Sequence, residues 1–298
     1  MRSLSILLAA LLSVAFALPA AAATTDKRVV VYYQTQYSNG AYVSPLPLLT
    51  NNTGVTDVEV AAIHLDDNSV VHLNDDPPDA AKFTQMWQDL ATMQAQGVHV
   101  LAMVGGAAQG SFQRLDTQFD TYYPLLHNLI TTYHLDGVDL DVEEDMSLAG
   151  MERLVDQLRS DFGSGFDIAL APVASALNGG GNLSGFSYDS LMQDRGSSIS
   201  FLNAQFYSGF GSMATTDDYE SILGRGLVPA SKLVAGTLTS SDNGSGFVPV
   251  ETVQSTVRSL VSSHSDFGGV AGWEYFNSQP GGAAAPWQWA SAMSSAQQ

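Results

Sequence analysis

Leu135-Asp136-Gly137-Val138-Asp139-Leu140-Asp141-Val142-Glu143-Glu144 alternates carboxylic acid with branched hydrocarbon through its centre. The two-residue period of a β-strand sends Asp139, Asp141 and Glu143 to one face and Val138, Leu140 and Val142 to the other. A solvated acidic loop has no reason to keep that alternation. The pattern therefore predicts a buried strand over Gly137–Glu143, with one face packed on apolar neighbours.

Apolar, β-branched runs recur on either side of it. Candidate strands fall at Arg28–Gln34, Asp57–His64, His99–Val104, Asp167–Ala171, Phe201–Tyr207, Lys232–Thr237 and Gly269–Tyr275. Helical spacing lies between them, as in Phe83, Met86, Trp87, Leu90 and Met93, or Met151, Leu154, Val155, Leu158 and Phe162. These stripes read as faces packing on a sheet. Strands that alternate with helices make a parallel sheet, and eight of them favour closure. The expected fold is α/β, a single (β/α)8 TIM barrel without an inserted α+β domain. Gly179–Gly181 and Pro280–Ala285 read as loops. A last helix is expected around Trp287–Ala292, with no appended module after it.

In such a barrel the outer face of a strand meets helices, so the three acids point inward, where hydrocarbon is usual. Residues two apart on one face lie roughly 6.5 to 7 Å apart. Three carboxylates at that spacing cannot all ionise in a water-poor interior, so at least one proton is shared or held. An acid that keeps its proton near neutral pH is what protonation of a leaving-group oxygen requires. Glu143, at the C-terminal end of its strand, lies where barrel active sites are found. The competing reading is a divalent-metal site, which EDTA-sensitive activity would support. His134 is the sole histidine near the acids, and neither metal nor cofactor is expected.

Residues 1–23 carry Arg2, an apolar run from Leu4 to Leu18, Pro19 and the small residues Ala20 to Ala23. They read as a secretory signal peptide, leaving 24–298 as the catalytic barrel of a secreted, extracellular protein. No later apolar run reaches the roughly 20 residues that span a bilayer. Cysteine is absent, so stability must come from core burial. Sequons begin at Asn51, Asn182 and Asn243. The formal charge of −19, with 11 Lys and Arg in 298 residues, excludes a polyanionic partner such as nucleic acid. A neutral glycan meets no such barrier, and a monomer is expected. Esterase-elbow, zinc-peptidase and nucleotide-binding motifs are missing. His64 and His99 read as hydrogen-bonded core residues.

The run Asp136-Gly-Val-Asp139-Leu-Asp141-Val-Glu143 matches the DGxDxDxE signature of glycoside hydrolase family 18. Val70–Asp75, Met103–Ala108, Leu170–Ser175, Asn203–Gly211 and Gly272–Asn277 resemble the secreted fungal endo-β-N-acetylglucosaminidases of that family, so the likeness runs from the first strand to the last. The resemblance implies substrate-assisted retaining hydrolysis, in which the sugar's 2-acetamido carbonyl replaces an enzyme nucleophile. It implies that Glu143 is the proton donor, that Asp141 orients the acetamido group, and that Asp139 shares a proton with Asp141. Asp136 would be structural. Tyr207 would donate to the acetamido oxygen with Gln205 beside it, and Trp273 would floor the sugar site. Gly105 and Gly106 would allow close backbone approach. The third strand departs from the pattern, having Met103-Val104-Gly105-Gly106 where Ser-x-Gly-Gly is common, which removes a hydroxyl that could support the acids. The expected substrate is the GlcNAc-β1,4-GlcNAc core of high-mannose N-glycans. The alternatives are an endochitinase acting on chitooligosaccharides and a non-catalytic glycan-binding lectin, the last opposed by the presence of Glu143.

Overall fold

Each β-branched run needs neighbours for its backbone and cover for both faces, and a closed parallel sheet inside a ring of helices supplies both. The computed structural model of the protein describes residues 27–298. Its barrel strands are β1 (Arg28–Tyr33), β2 (Asp57–Asp66), β3 (His99–Gly105), β4 (Gly137–Asp141), β5 (Asp167–Leu170), β6 (Phe201–Gln205), β7 (Leu233–Leu238) and β8 (Gly269–Trp273). Each pairs in parallel with the next, and β8 closes on β1 with Val270 opposite Val29. The segment 1–23 read as a signal peptide lies outside the described residues, among which no helix is long and apolar enough to cross a membrane.

The principal helices are α1 (Thr84–Gln94), α2 (Phe119–Tyr133), α3 (Leu148–Phe162), α4 (Tyr188–Arg195), α5 (Asp217–Gly224), α6 (Val250–Ser263) and α7 (Gln288–Ala296). Between β1 and β2 there is a single helical turn, Pro47–Thr50. The expected stripes face the sheet: Met86, Leu90 and Met93 of α1 and Met151, Leu154 and Leu158 of α3 are buried in one layer with Val58, Val138, Leu140 and Ile168. Each such leucine contributes on the order of 2 kcal/mol by leaving water, which is how a chain without cysteine carries its charge. Helix α3 starts where the Ser147 hydroxyl accepts from the Gly150 amide at 3.0 Å. Helix α2 ends at His134, which takes the left-handed conformation (φ 51°) of a helix C-terminus.

A second apolar set fills the barrel itself: Val30, Tyr32, Ala61, Leu101, Met103, Ala169, Phe201, Val234 and Ala271. Several are small, and the room they leave is taken by polar side chains.

Strands β1, β4, β5, β6 and β8 end one or two residues earlier than alternation predicts, while β2, β3 and β7 run one or two residues further. Strand β4 stops at Asp141 because β5 offers no partner beyond Leu170, opposite Leu140, and β3 stops at Gly105, opposite Asp141. Glu143 and Tyr207 thus lie just past their strands, in the loops above the barrel. Two small elements were not anticipated. A hairpin pairs Tyr37–Ser38 with Ala41–Tyr42 around Asn39 and Gly40, both at positive φ. Val70–Leu73 adds an antiparallel strand to the upper half of β2.

Candidate active site

The lower mouth of the barrel is closed by charge. Arg28 reaches Asp57 at 2.5 Å and Asp167 at 3.4 Å, and its guanidinium lies 3.9 Å over the ring of Phe201. His99 adds a hydrogen bond to Asp167 at 2.8 Å and is pushed towards its charged form by that contact. His99 is therefore a half-exposed residue of the barrel floor rather than a core residue.

Above this floor Asp139 is fully buried. Its Oδ2 accepts from the Tyr32 hydroxyl at 2.8 Å and its Oδ1 from Asn203 Nδ2 at 3.5 Å. Asn203 also donates to Glu59 Oε1 at 2.8 Å. Glu59, from β2, is thus another interior acid, and the sequence did carry a signal for it, since Asp57-Val58-Glu59-Val60 alternates acid with valine as β4 does. The missing serine hydroxyl of β3 is replaced here by donors from β1 and β6.

One layer higher, the Gln205 amide nitrogen donates to Asp141 Oδ1 at 3.0 Å and to Glu143 Oε1 at 3.2 Å. The same nitrogen is held by the carbonyl of Ala171 at 2.9 Å. Alternation on β4, although the strand ends at Asp141, therefore does bring the three acids onto one side. Asp141 is buried, and Glu143 is half-exposed to the cleft. Burial, then the neighbouring charges of Glu143 and Asp139, push the Asp141 carboxyl well above the usual carboxylate range, against a smaller opposing pull from Gln205. Asp141 accordingly keeps a proton that an exposed aspartate would have lost.

The acids open into a cleft of about 400 Å³ at the C-terminal ends of the strands. Among the described residues, Asp141 and Glu143 are its only carboxyl groups. Tyr207 lines it, and its hydroxyl is held protonated by burial and by the charges of Asp141, Glu143 and Asp139. Trp273 forms another wall, with its ring edge-on to Tyr32 at 5.4 Å. Its carbonyl accepts from Asn243 at 3.0 Å. Gly105 and Gly106, at φ +91° and +83°, bring the end of β3 against Asp141: the Gly106 amide donates to the Asp141 carbonyl at 2.8 Å, and a Cβ on Gly105 would stand 2.6 Å from that oxygen. Both glycines line the cleft, and this packing on Asp141 requires them.

Other residues singled out in the sequence fall as follows. Asp136 accepts from the Val100 amide and from Gln94, each at 2.8 Å, and ties the lower end of β4 to its neighbours. Glu144 turns away from the cleft to accept the amides of Gly110 and Phe112 at 2.8 Å, at the start of the helix Ser111–Thr117. His64 lines the cleft instead of the core, and burial biases it towards the neutral form. Of the sequon asparagines, Asn51 is exposed on the helical turn after β1. Asn182 bonds to Phe186, and Asn243 exchanges hydrogen bonds with Asn277, so both amides help build the loops around the cleft.

Paired carboxyls at the C-terminal mouth of a (β/α)8 barrel, beside a tyrosine and a tryptophan, make the site of a glycoside hydrolase. Residues 28–241 match the model of the glycosyl hydrolases family 18, and the chain belongs to that family. Among solved structures it is similar to a fungal endo-β-N-acetylglucosaminidase of the family, with 47% identity, a TM-score of 0.88, and coverage of 90% of this chain and 97% of that one. It is equally identical, 47%, to the chitinase ChiC from Aspergillus fumigatus, with a TM-score of 0.84 and coverage of 91% and 100%. Chitinase 2 of Rhizopus oligosporus is 29% identical over 212 residues, covering 62% of this chain and 35% of that protein. The chain thus spans about a third of the length of that relative, and 39% of chitinase 1 of Rhizopus niveus.

Proposed function

We propose that the protein is an endo-β-N-acetylglucosaminidase that hydrolyses the GlcNAc-β1,4-GlcNAc core of N-glycans, with high-mannose chains as substrates, by substrate-assisted retaining catalysis. One observation carries the mechanism. The two carboxyl groups of the cleft come from one strand end, Asp141 closing β4 and Glu143 just past it, and accept from a single amide nitrogen, so they share one wall. A retaining enzyme that uses its own nucleophile places two carboxyls on either side of the scissile bond. Among the described residues no other carboxyl group lines the cleft, which leaves the sugar's own acetamido group as the nucleophile.

Asp141 passes its proton to Glu143 and becomes a carboxylate; Glu143 gives that proton to the glycosidic oxygen as the C1–O bond breaks, and the 2-acetamido carbonyl oxygen bonds to C1. Asp141 accepts from the acetamido N–H and stabilises the positive charge of the resulting oxazolinium ion, while Tyr207 donates to the acetamido oxygen. Glu143, now a carboxylate, takes a proton from water as that water attacks C1. The ring opens, Glu143 regains its proton, and the β configuration is retained.

The choice of an N-glycan over chitin rests on the similarity to the fungal endo-β-N-acetylglucosaminidase and on the tryptophans. Trp273 is the one tryptophan that lines the cleft. Trp289 is buried, Trp87 stacks on Tyr133 and Trp287 packs against the core, so none of the three lines the cleft as a platform along which a polymer could lie. The endochitinase reading keeps support from the equal identity to ChiC and from the names of the Rhizopus proteins. Mass spectrometry of a digested high-mannose glycopeptide separates the two. A peptide left with a single N-acetylglucosamine supports the proposal, whereas an intact glycopeptide together with oligosaccharides released from chitin assigns the chitinase. An extracellular location belongs to the same proposal, and a mature N-terminus at Thr24 on secretion is its test.

A further inference from the structure

We infer that Glu59 carries a proton in the resting enzyme and donates it in a hydrogen bond to Asp139, making Glu59 a positioning residue that fixes Asp139 as the anion beneath Asp141. The inference rests on the hydrolase reading above.

Hydrogen-bond accounting points to it. Glu59 lies on β2 inside the barrel, fully buried, between Tyr32 of β1 and Leu101 of β3 in the strand register. Its Oε1 accepts from Asn203 at 2.8 Å. Its Oε2 is buried and meets no donor. A carboxylate oxygen left without a donor in a dry interior is costly, and a carboxylic O–H with an acceptor removes that cost. The acceptor at hand is Asp139, whose Oδ1 accepts from the same Asn203 amide that Glu59 Oε1 does, so an O–H of Glu59 would bond to the Asp139 carboxylate. Two carboxyl groups make such a bond only when a proton lies between them.

Which partner keeps the proton follows from the other donors. Tyr32 and Asn203 both donate to Asp139 and so favour its charged form, whereas Asn203 is the one donor to Glu59. The remaining charged neighbours agree. Asp57, two residues earlier on β2, is tied to Arg28, so the cation below is already engaged, and Asp141 lies above Asp139 on β4. Burial and the charge of Asp139 both push Glu59 upward. An anionic Asp139 in turn helps Asp141 retain its proton. In register opposite Asp139, β3 supplies Met103, which has no proton to give, so Glu59 provides what that strand lacks.

The test compares two substitutions with the wild type. Glu59→Gln copies both bonds, because its oxygen can accept from Asn203 and its amide can donate to Asp139. It should keep kcat within about twofold and leave the pH profile in place, since no hydrogen bond is lost. Glu59→Met has similar length and no donor. Its kcat should fall about tenfold at similar KM, as for loss of one charge-assisted hydrogen bond. Its alkaline limb should move to lower pH, because Asp139 then takes up a proton and no longer holds the one on Asp141. Infrared spectroscopy at neutral pH provides a readout independent of turnover: the difference spectrum of Glu59→Gln against wild type should show the loss of one protonated carboxylic acid carbonyl band, with that of Asp141 remaining. A Glu59→Gln enzyme as impaired as Glu59→Met, or a band unchanged by the substitution, would overturn the inference. If Glu59→Met does not fold, the Glu59→Gln spectrum and pH profile still decide. A wild-type enzyme that hydrolyses no glycan would refute the hydrolase reading and leave the infrared result standing for Glu59.

Discussion

Tyr32 and Asp139 meet inside the barrel from strands that do not touch, the hydroxyl donating to the carboxylate over 2.8 Å although 107 residues separate them in the chain. The bond favours the charged form of Asp139, and that charge helps keep a proton on Asp141. Tyr32→Phe removes the donor and keeps the ring that packs on Trp273. The expected result is a kcat lowered about tenfold, equivalent to about 1.4 kcal/mol for the lost hydrogen bond, with KM little changed. Steady-state kinetics on a GlcNAc-β1,4-GlcNAc substrate would check this, and an unaltered kcat would remove Tyr32 from the account.

The pH dependence of turnover follows from Gln205. Its amide donates to both Asp141 and Glu143, and at Asp141 that donor favours the ionised form. Gln205→Leu takes that pull away, so Asp141 should hold its proton to higher pH. Since hydrolysis requires that proton, the alkaline limb of kcat/KM should move upward, with kcat reduced because the two acids are less well aligned. A limb that stays in place or moves downward would contradict this picture of the pair.

Stability should depend on pH in the direction set by the buried acids. Burial raises Asp57, Glu59, Asp141 and Glu274 above ordinary carboxyl values, so the folded chain binds more protons than the unfolded chain at mildly acidic pH. Stability then falls as pH rises through the folded-state values. His99, raised by Asp167, acts in the same sense, while His64, lowered by burial, opposes it. Self-repulsion from the charge of −19 adds to the loss. The melting temperature should be higher at pH 5 than at pH 8, as measured by circular dichroism, and the reverse order would contradict the assignment of these groups.

The barrel was legible in the sequence because its evidence is periodic. The strands stand near their expected positions, and the stripe Met151 to Phe162 falls on α3. Asp141 and Glu143 were legible for the same reason: an acid that alternates with Val and Leu needs an explanation. What escaped was set by partners distant in the chain. Glu59 alternates with Val58 and Val60 behind Asp57, much as the acids of β4 do, but nothing local says that Asp139 and Asn203 will meet it. Strand ends were misjudged because they depend on where the neighbouring strand stops, so Glu143 and Tyr207 extend into loops. The hairpin at Tyr37–Tyr42 did carry a signal, since Asn39-Gly40 is the dipeptide that a tight turn with two positive φ angles prefers.

The initial rate of Glu143→Gln measures the central claim most directly. Glutamine keeps the shape of the side chain and cannot protonate the glycosidic oxygen. The rate on a high-mannose glycopeptide should fall by at least about 100-fold, the lower end of what general acid catalysis supplies, with the circular dichroism spectrum unchanged. A folded Glu143→Gln enzyme that cleaves at the wild-type rate would contradict the assignment of Glu143 as the proton donor.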